Sequence, residues 1–141
     1  MNDESTGLSA VSDAVWTRYG QVGFDELTEA EQVFVCVWST VGEIDNGGFE
    51  QFYFNSSGGY ATRCPDAFRA IGADDLASII ERANGTFAAG PSTDDGTRQV
   101  QLDGLSDEKM KTLKKLSSQF DATKVDELLW QYVKTNHCHA E

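Results

Sequence analysis

The sequence predicts an all-α fold, a single compact domain of about six or seven helices around a buried central helix. Three observations predict it. Apolar residues recur at spacings of three and four along most of the chain, which places them on one face of a helix. Helix-start residues stand before those runs and glycines stand after them, at Thr28, Ser106, Gly20, Gly23 and Gly85. No convincing hairpin, internal repeat or inter-domain linker interrupts the 141 residues, a length that suits one core.

Residues 1–7 are polar and acidic and read as a flexible tail. Leu8, Val11, Val15 and Tyr19 then define the first helix, with Gly20 and Gly23 as its stop. Thr28 and Glu31 have the spacing of a capping box, in which hydroxyl and carboxylate each satisfy a free amide at a helix start. The run Val33-Phe34-Val35-Cys36-Val37-Trp38 follows. Alone it would suit a buried strand, but the cap and the length through Glu43 favour a central helix buried on most sides.

Asn46-Gly47-Gly48 is a helix stop, since these residues tolerate positive φ. Phe49 to Asn55 reads as a short aromatic helix and Ser56 to Gly59 as a loop. Pro65 suits a helix start, with Phe68 and Ile71 continuing the apolar spacing. Asp74 and Asp75 open another helix, placing acids at the positive end of its dipole, and Asn84-Gly85 close it. Residues 85–105 are rich in Gly, Ser, Thr and Asp and read as a long loop. Ser106 caps a helix with Met110, Leu113 and Leu116 inward. The final helix spans about Thr123 to Lys134, the domain covers 8–136, and 137–141 form a second tail.

Hydrophobic residues at 40% and charged residues at 24% describe a globular chain rather than a disordered one. No apolar run approaches the roughly 20 residues of a membrane helix. The acidic start lacks the basic and apolar regions of a secretory signal, so a cytoplasmic location is expected. Cys36, Cys64 and Cys138 are too few and too scattered for a disulfide framework and read as reduced thiols.

The formal net charge is -12, and its distribution is lopsided. Residues 1–60 hold ten acids and one base, Arg18, for a net of -9. Residues 61–141 hold thirteen acids and ten bases, for a net of -3. A field of this sign repels nucleic acid and anionic lipid and attracts basic protein surfaces. The expected partner is therefore a basic protein, with no direct nucleic-acid or membrane binding.

Signatures of catalysis are weak. His137-Cys138-His139 are adjacent and have no second cluster, so no metal site is read there. Cys36 lies among apolar residues without a cation nearby, so it reads as a structural thiol. Glu43 and Glu50 make a carboxylate pair, yet nothing supplies a metal or pocket beside them. Gly47-Gly48 lacks the spacing and the Lys of a phosphate cradle, and no cofactor is implied. Lys109, Lys111, Lys114 and Lys115 read as a solvated helix face.

The most specific segment runs from Glu43 to Asn55. Its candidate residues are Glu43, Asn46, Gly47, Gly48, Phe49, Gln51, Phe52 and Asn55, as a fold motif or a site. Gln51 and Asn55 are four apart and share a face, from which they are expected to bond loop backbone. Phe49, Phe52 and Tyr53 cover the neighbouring face. The pattern Asn46-Gly47-Gly48-Phe49-x-Gln51-Phe52-Tyr53-x-Asn55-Ser56-x-Gly58, followed by Ala70-Ile71-Gly72-Ala73, resembles a small helical bacterial family known as a domain of unknown function. That resemblance covers roughly residues 27–84. The family includes an acidic DNA-mimic protein. The resemblance implies an all-helical domain with no established enzymatic activity, and, through its dimeric DNA-mimic member, surface carboxylates that replace DNA phosphates on a transcription factor, with a homodimer as one expectation.

The reading is thus an acidic, non-enzymatic protein-interaction domain, with a DNA mimic that occupies the DNA-binding face of a partner protein as its sharpest form. Asp25, Glu26, Glu29, Asp45 and Glu50 are the candidate partner-binding carboxylates. Two rival readings remain: an immunity-type protein that neutralises a basic toxin, and an enzyme using Glu43, Asp45 and Glu50, with Asn46, around a pocket.

Overall fold

In a computed structural model, which describes residues 3–136, seven α-helices and two short 3-10 turns account for the regular structure, with no strand among the described residues. Helix α1 spans Asp3–Val22 and α2 spans Glu29–Phe54. Helices α3, Cys64–Ala70, and α4, Asp74–Asn84, follow after a 3-10 turn at Ser56–Tyr60. Helices α5, Asp95–Asp103, α6, Asp107–Gln119, and α7, Val125–Asn136, complete the chain. No helix among the described residues is long and apolar enough to cross a membrane.

Helix α2 is the centre. It packs against α1, α3, α5, α6, α7 and the Ser56–Tyr60 turn. The β-branched stretch that would have suited a strand is helical, and Phe34, Val35 and Val37 are fully buried. The capping box is formed. Thr28 Oγ1 accepts from Glu31 N at 3.1 Å, and the Thr28 amide donates to Glu31 Oε1 at 2.8 Å. Glu31 Oε1 also takes Arg18 Nε at 3.0 Å, so the buried acid of the cap neutralises the one base of the first sixty residues.

Four boundaries differ from expectation. Helix α1 begins at Asp3, so residues 3–7 are helix rather than tail. The reason is tertiary: Gly7 lies against the Trp130 ring of α7, so closely that a Cβ there would run into the indole. Residues 1 and 2 of that tail, and the tail at 137–141 with His137, Cys138 and His139, lie outside the described residues. Gly20 does not stop α1. An exposed glycine costs a helix only about 1 kcal/mol, and Gly23, at φ 82°, makes the break instead. The stop at Asn46-Gly47-Gly48 is a kink inside α2, after which the helix resumes through Phe54.

The fourth difference is the largest. Residues 85–105 are not one long loop, because α5 occupies Asp95–Asp103. Asp94 caps it, its side chain accepting from Thr97 N at 2.8 Å. Leu102 is buried and Val100 is exposed. What holds α5 down is Arg98, a cation with no exposed surface. Its Nε donates to Tyr53 O at 2.7 Å and its Nη1 to Ser92 O at 3.0 Å. Its Nη2 donates to Asn55 O at 2.8 Å and to Asp95 Oδ1 at 2.6 Å. One guanidinium thereby satisfies three backbone carbonyls and ties α5 to the end of α2. Gly58 gives it room, since a Cβ there would come within 2.6 Å of Arg98 Nε.

The remaining elements follow the sequence. Pro65 lies in the first turn of α3, and α4 starts on Asp74 and Asp75. Ser106 caps α6 by accepting from Lys109 N at 3.1 Å. Leu113 and Leu116 are buried, and Lys109, Lys111, Lys114 and Lys115 are exposed.

Candidate functional site

The Glu43–Asn55 segment is built around the kink. Gly47 has φ −153° and Gly48 has φ 74°, ψ −174°. Only Gly48 occupies the left-handed half of the map, where a side chain is strained. A Cβ on Gly48 would also lie 3.0 Å from Ser117 Oγ. That hydroxyl accepts the Phe49 amide at 2.9 Å and donates to Leu113 O at 3.0 Å. The backbone amide released by the kink is therefore satisfied by α6.

Beyond the kink the aromatic residues point inward. Phe49, Phe52 and Tyr53 have no exposed surface. The Phe49 ring stacks on Tyr53 at 5.9 Å and meets Phe120 edge-on at 6.0 Å. The Tyr53 hydroxyl donates to Asn84 Oδ1 at 2.6 Å, and burial pushes its titration well above the usual phenol range.

The polar residues of the motif bond one another rather than loop backbone, contrary to expectation. Glu43 Oε1 accepts Gln51 Nε2 at 2.6 Å and Asn55 Nδ2 at 3.0 Å. Glu43 Oε2 accepts Ser57 Oγ at 3.3 Å. Asn46 Nδ2 donates to Gln51 Oε1 at 3.1 Å. The reason is the kink itself. It turns the second half of α2 so that Gln51 and Asn55 face back onto Glu43, and a carboxylate is a stronger acceptor than a backbone carbonyl. The arrangement staples the helix across its break.

Asp45 is exposed and Glu50 half-buried, and neither carboxylate enters this set of bonds. Glu43 is engaged at both oxygens, Oε1 by the Gln51 and Asn55 amides and Oε2 by the Ser57 hydroxyl, so its carboxylate is committed to holding the motif together. Among the described residues no three His, Cys, Asp or Glu side chains are placed to hold a metal ion. Cys36 is buried, and its hydrogen bond with Cys64, together with desolvation, pushes its thiol far up, which makes it a poor nucleophile. Cys64 Sγ lies 3.2 Å from Thr40 Oγ1 in the same interior.

The candidate partner-binding acids fall in two places. Asp25 and Glu26 lie on the 3-10 turn between α1 and α2, and Glu29 lies in the first turn of α2. All three are exposed. Asp45 and Glu50 flank the kink, and the sixteen residues from Glu29 to Asp45 put about 24 Å of helix between the two groups. The structure brings Asp25, Glu26 and Glu29 together and leaves Asp45 and Glu50 at the far end.

The matched segment runs from Asp25 to Asn136 and corresponds to the DMP19-like protein family. The chain belongs to that family. No curated protein and no solved structure matches it. The family segment takes in α2 to α7, so the kink, its Glu43 staple and the buried Arg98 all lie within it, whereas α1 precedes it. Arg98 escaped the sequence reading. Its signal was the Asp94-Asp95-x-Thr97-Arg98 spacing, a capped first turn with an acid three residues before a base.

Proposed function

We propose that this protein is a non-enzymatic interaction domain whose surface carboxylates take the place of DNA phosphates on the DNA-binding face of a partner protein. The observation that carries the proposal is the unbalanced acidity of the N-terminal half in its folded form. Arg18, the one base in residues 1–60, is spent on Glu31 and on the Glu26 carbonyl. Asp13, Asp25, Glu26, Glu29 and, further along α2, Asp45 remain exposed. A protein that binds DNA presents lysines and arginines arranged for phosphates, and such a surface is attracted to fixed carboxylates by the same long-range field.

The spacing supports the reading. About 24 Å separates the Asp25–Glu29 corner from Asp45, which is about seven base pairs of duplex, within the footprint of one DNA-binding module. The exposed lysines of α6 set orientation, because they repel a basic surface approaching from their side. The Glu43 staple argues against the rival enzymatic reading, as its carboxylate is engaged by three side-chain donors.

The test is to pass cell lysate over the immobilised protein at low and high salt and identify what elutes. Salt-sensitive retention of a DNA-binding protein that free DNA competes off is the expected result. Retention of a basic protein indifferent to DNA would instead indicate neutralisation of a basic toxin. If nothing is retained at low salt, the acidity is a matter of solubility and the proposal fails.

A further inference from the structure

A line of aromatic rings lies on the surface where α1, the turn before α2 and the Ser56–Tyr60 turn meet. Trp16 and Tyr19 are 5.2 Å apart, Tyr19 and Tyr60 are 6.5 Å apart, and Phe24 stacks on Tyr60 at 4.3 Å. The Tyr19 and Tyr60 hydroxyls are hydrogen-bonded to each other. Trp16 is 37% exposed, and Tyr19, Phe24 and Tyr60 are half-buried. Half-exposed Trp, Tyr and Arg are the residues that most often dominate protein–protein binding.

Beside these rings runs a groove of about 480 Å³ lined by Phe24, Asp25, Gly59, Tyr60, Arg63 and Asp95, among others. Its floor is aromatic, and carboxylates rise from two separate elements, Asp25 from the turn before α2 and Asp95 from the start of α5. The chain's own Arg63 shows what the groove accepts. Its guanidinium carbon lies 5.1 Å from the Phe24 ring centroid, and its Nη2 lies 3.8 Å from Asp25 Oδ1. This contact is loose, with the two side chains 54% and 85% exposed, so Arg63 can leave at little cost. Asp95 is anchored from below by the buried Arg98 while half of its side chain remains exposed.

We propose that this groove receives an arginine side chain of the partner protein, stacked on the Phe24–Tyr60 platform between Asp25 and Asp95, and that Arg63 competes for the same place. This inference rests on the proposed function, since it names the anchor point within the acidic surface. Guanidinium is the fitting cation, because it stacks on aromatic faces and bridges carboxylates through a planar fork, whereas an ammonium does neither as well. Arg63 acts as an internal occupant that must swing out before the partner's arginine is seated.

A fluorescein-labelled octa-arginine peptide provides the probe, titrated by fluorescence anisotropy against the full chain at low and moderate salt. Asp25→Asn is expected to weaken binding by about 3- to 10-fold. Arg63→Gln is expected to tighten it several-fold more than Arg69→Gln does. Both substitutions change net charge equally, but Arg69 is paired with Glu81 between α3 and α4, away from the groove. Amide shifts in an NMR titration should concentrate at residues 24–25, 59–63 and 95. Equal effects of Arg63→Gln and Arg69→Gln, with shifts spread over other acids, would overturn the groove and leave the acidic docking surface standing. Absence of any salt-sensitive binding would remove both.

Discussion

Replacing Arg98 with Met tests the tertiary organisation most directly. Met preserves most of the side-chain volume, so little cavity forms, but four hydrogen bonds are lost. The Tyr53 carbonyl is then left buried without a donor, at a cost of about 1–3 kcal/mol. The Ser92 and Asn55 carbonyls are only partly buried, so water recovers some of theirs and each adds about 1 kcal/mol. The sum is about 3–5 kcal/mol. A domain of this size has about 5–15 kcal/mol in all, so the variant is expected to remain folded but weakened. Urea unfolding followed by the fluorescence of Trp16, Trp38 and Trp130 measures it, with an unchanged slope confirming that the same surface is exposed. Arg98→Lys should fall between wild type and Met, because an ammonium keeps the charge but lacks the fork that reaches three carbonyls at once. A loss below about 1 kcal/mol for Arg98→Met would refute the claim that this guanidinium holds α5 to the end of α2.

Other outcomes follow from the same geometry. Phe49→Ala removes a fully buried ring beside Tyr53 and Phe120, and its unfolding midpoint should report a loss of about 3–5 kcal/mol; an unchanged midpoint would mean the ring is dispensable to the core. Glu43→Ala strands the Gln51 and Asn55 amides, at about 1–3 kcal/mol in the same assay, whereas Glu43→Gln keeps an acceptor and should cost less than about 1 kcal/mol; equal losses would show that the acceptor is not what matters. Stability should also fall in alkali. Tyr53 is pushed up by burial and Cys36 by its bond to Cys64 and by burial, so both hold their protons in the folded state when the unfolded chain has released them. Groups raised in this way stabilise fully below their unfolded pKa and lose that contribution as pH rises, here from about pH 8.5 for the thiol and about pH 10 for the phenol. Urea midpoints measured from pH 7 to 10.5 should decline across that window and decline less in Tyr53→Phe; a flat profile would contradict the burial of both groups.

Most helices were legible because their information is local. Thr28 and Glu31, Ser106, and Asp74 with Asp75 satisfy or complement the free amides of the turns beside them, so the residues that start each helix are its own. The aromatic face of Phe49, Phe52 and Tyr53 was legible too, because helical spacing alone places these rings on one side. The kink was placed correctly at Gly47-Gly48, but its consequence was not. Whether the chain turns away or resumes its helix depends on Ser117, which lies in a different helix and accepts the freed Phe49 amide.

Length, composition and short-range patterning thus determined an acidic all-helical domain, its caps and its buried central helix. Tertiary structure alone decided that Asp3 to Gly7 are helical, through Trp130, and that Glu43 meets Gln51, Asn55 and Ser57. It also decided that the helix at 95–103, whose Asp94 cap is local, docks on the end of α2. That segment is polar and glycine-bearing, and by local preference it belongs outside the core. Only Arg98 and Leu102 of it are buried, and Arg98 ties it to Tyr53 and Asn55, which lie more than forty residues away. A buried cation can be stabilised only by acceptors that folding brings to it, and no local pattern records where those acceptors will be.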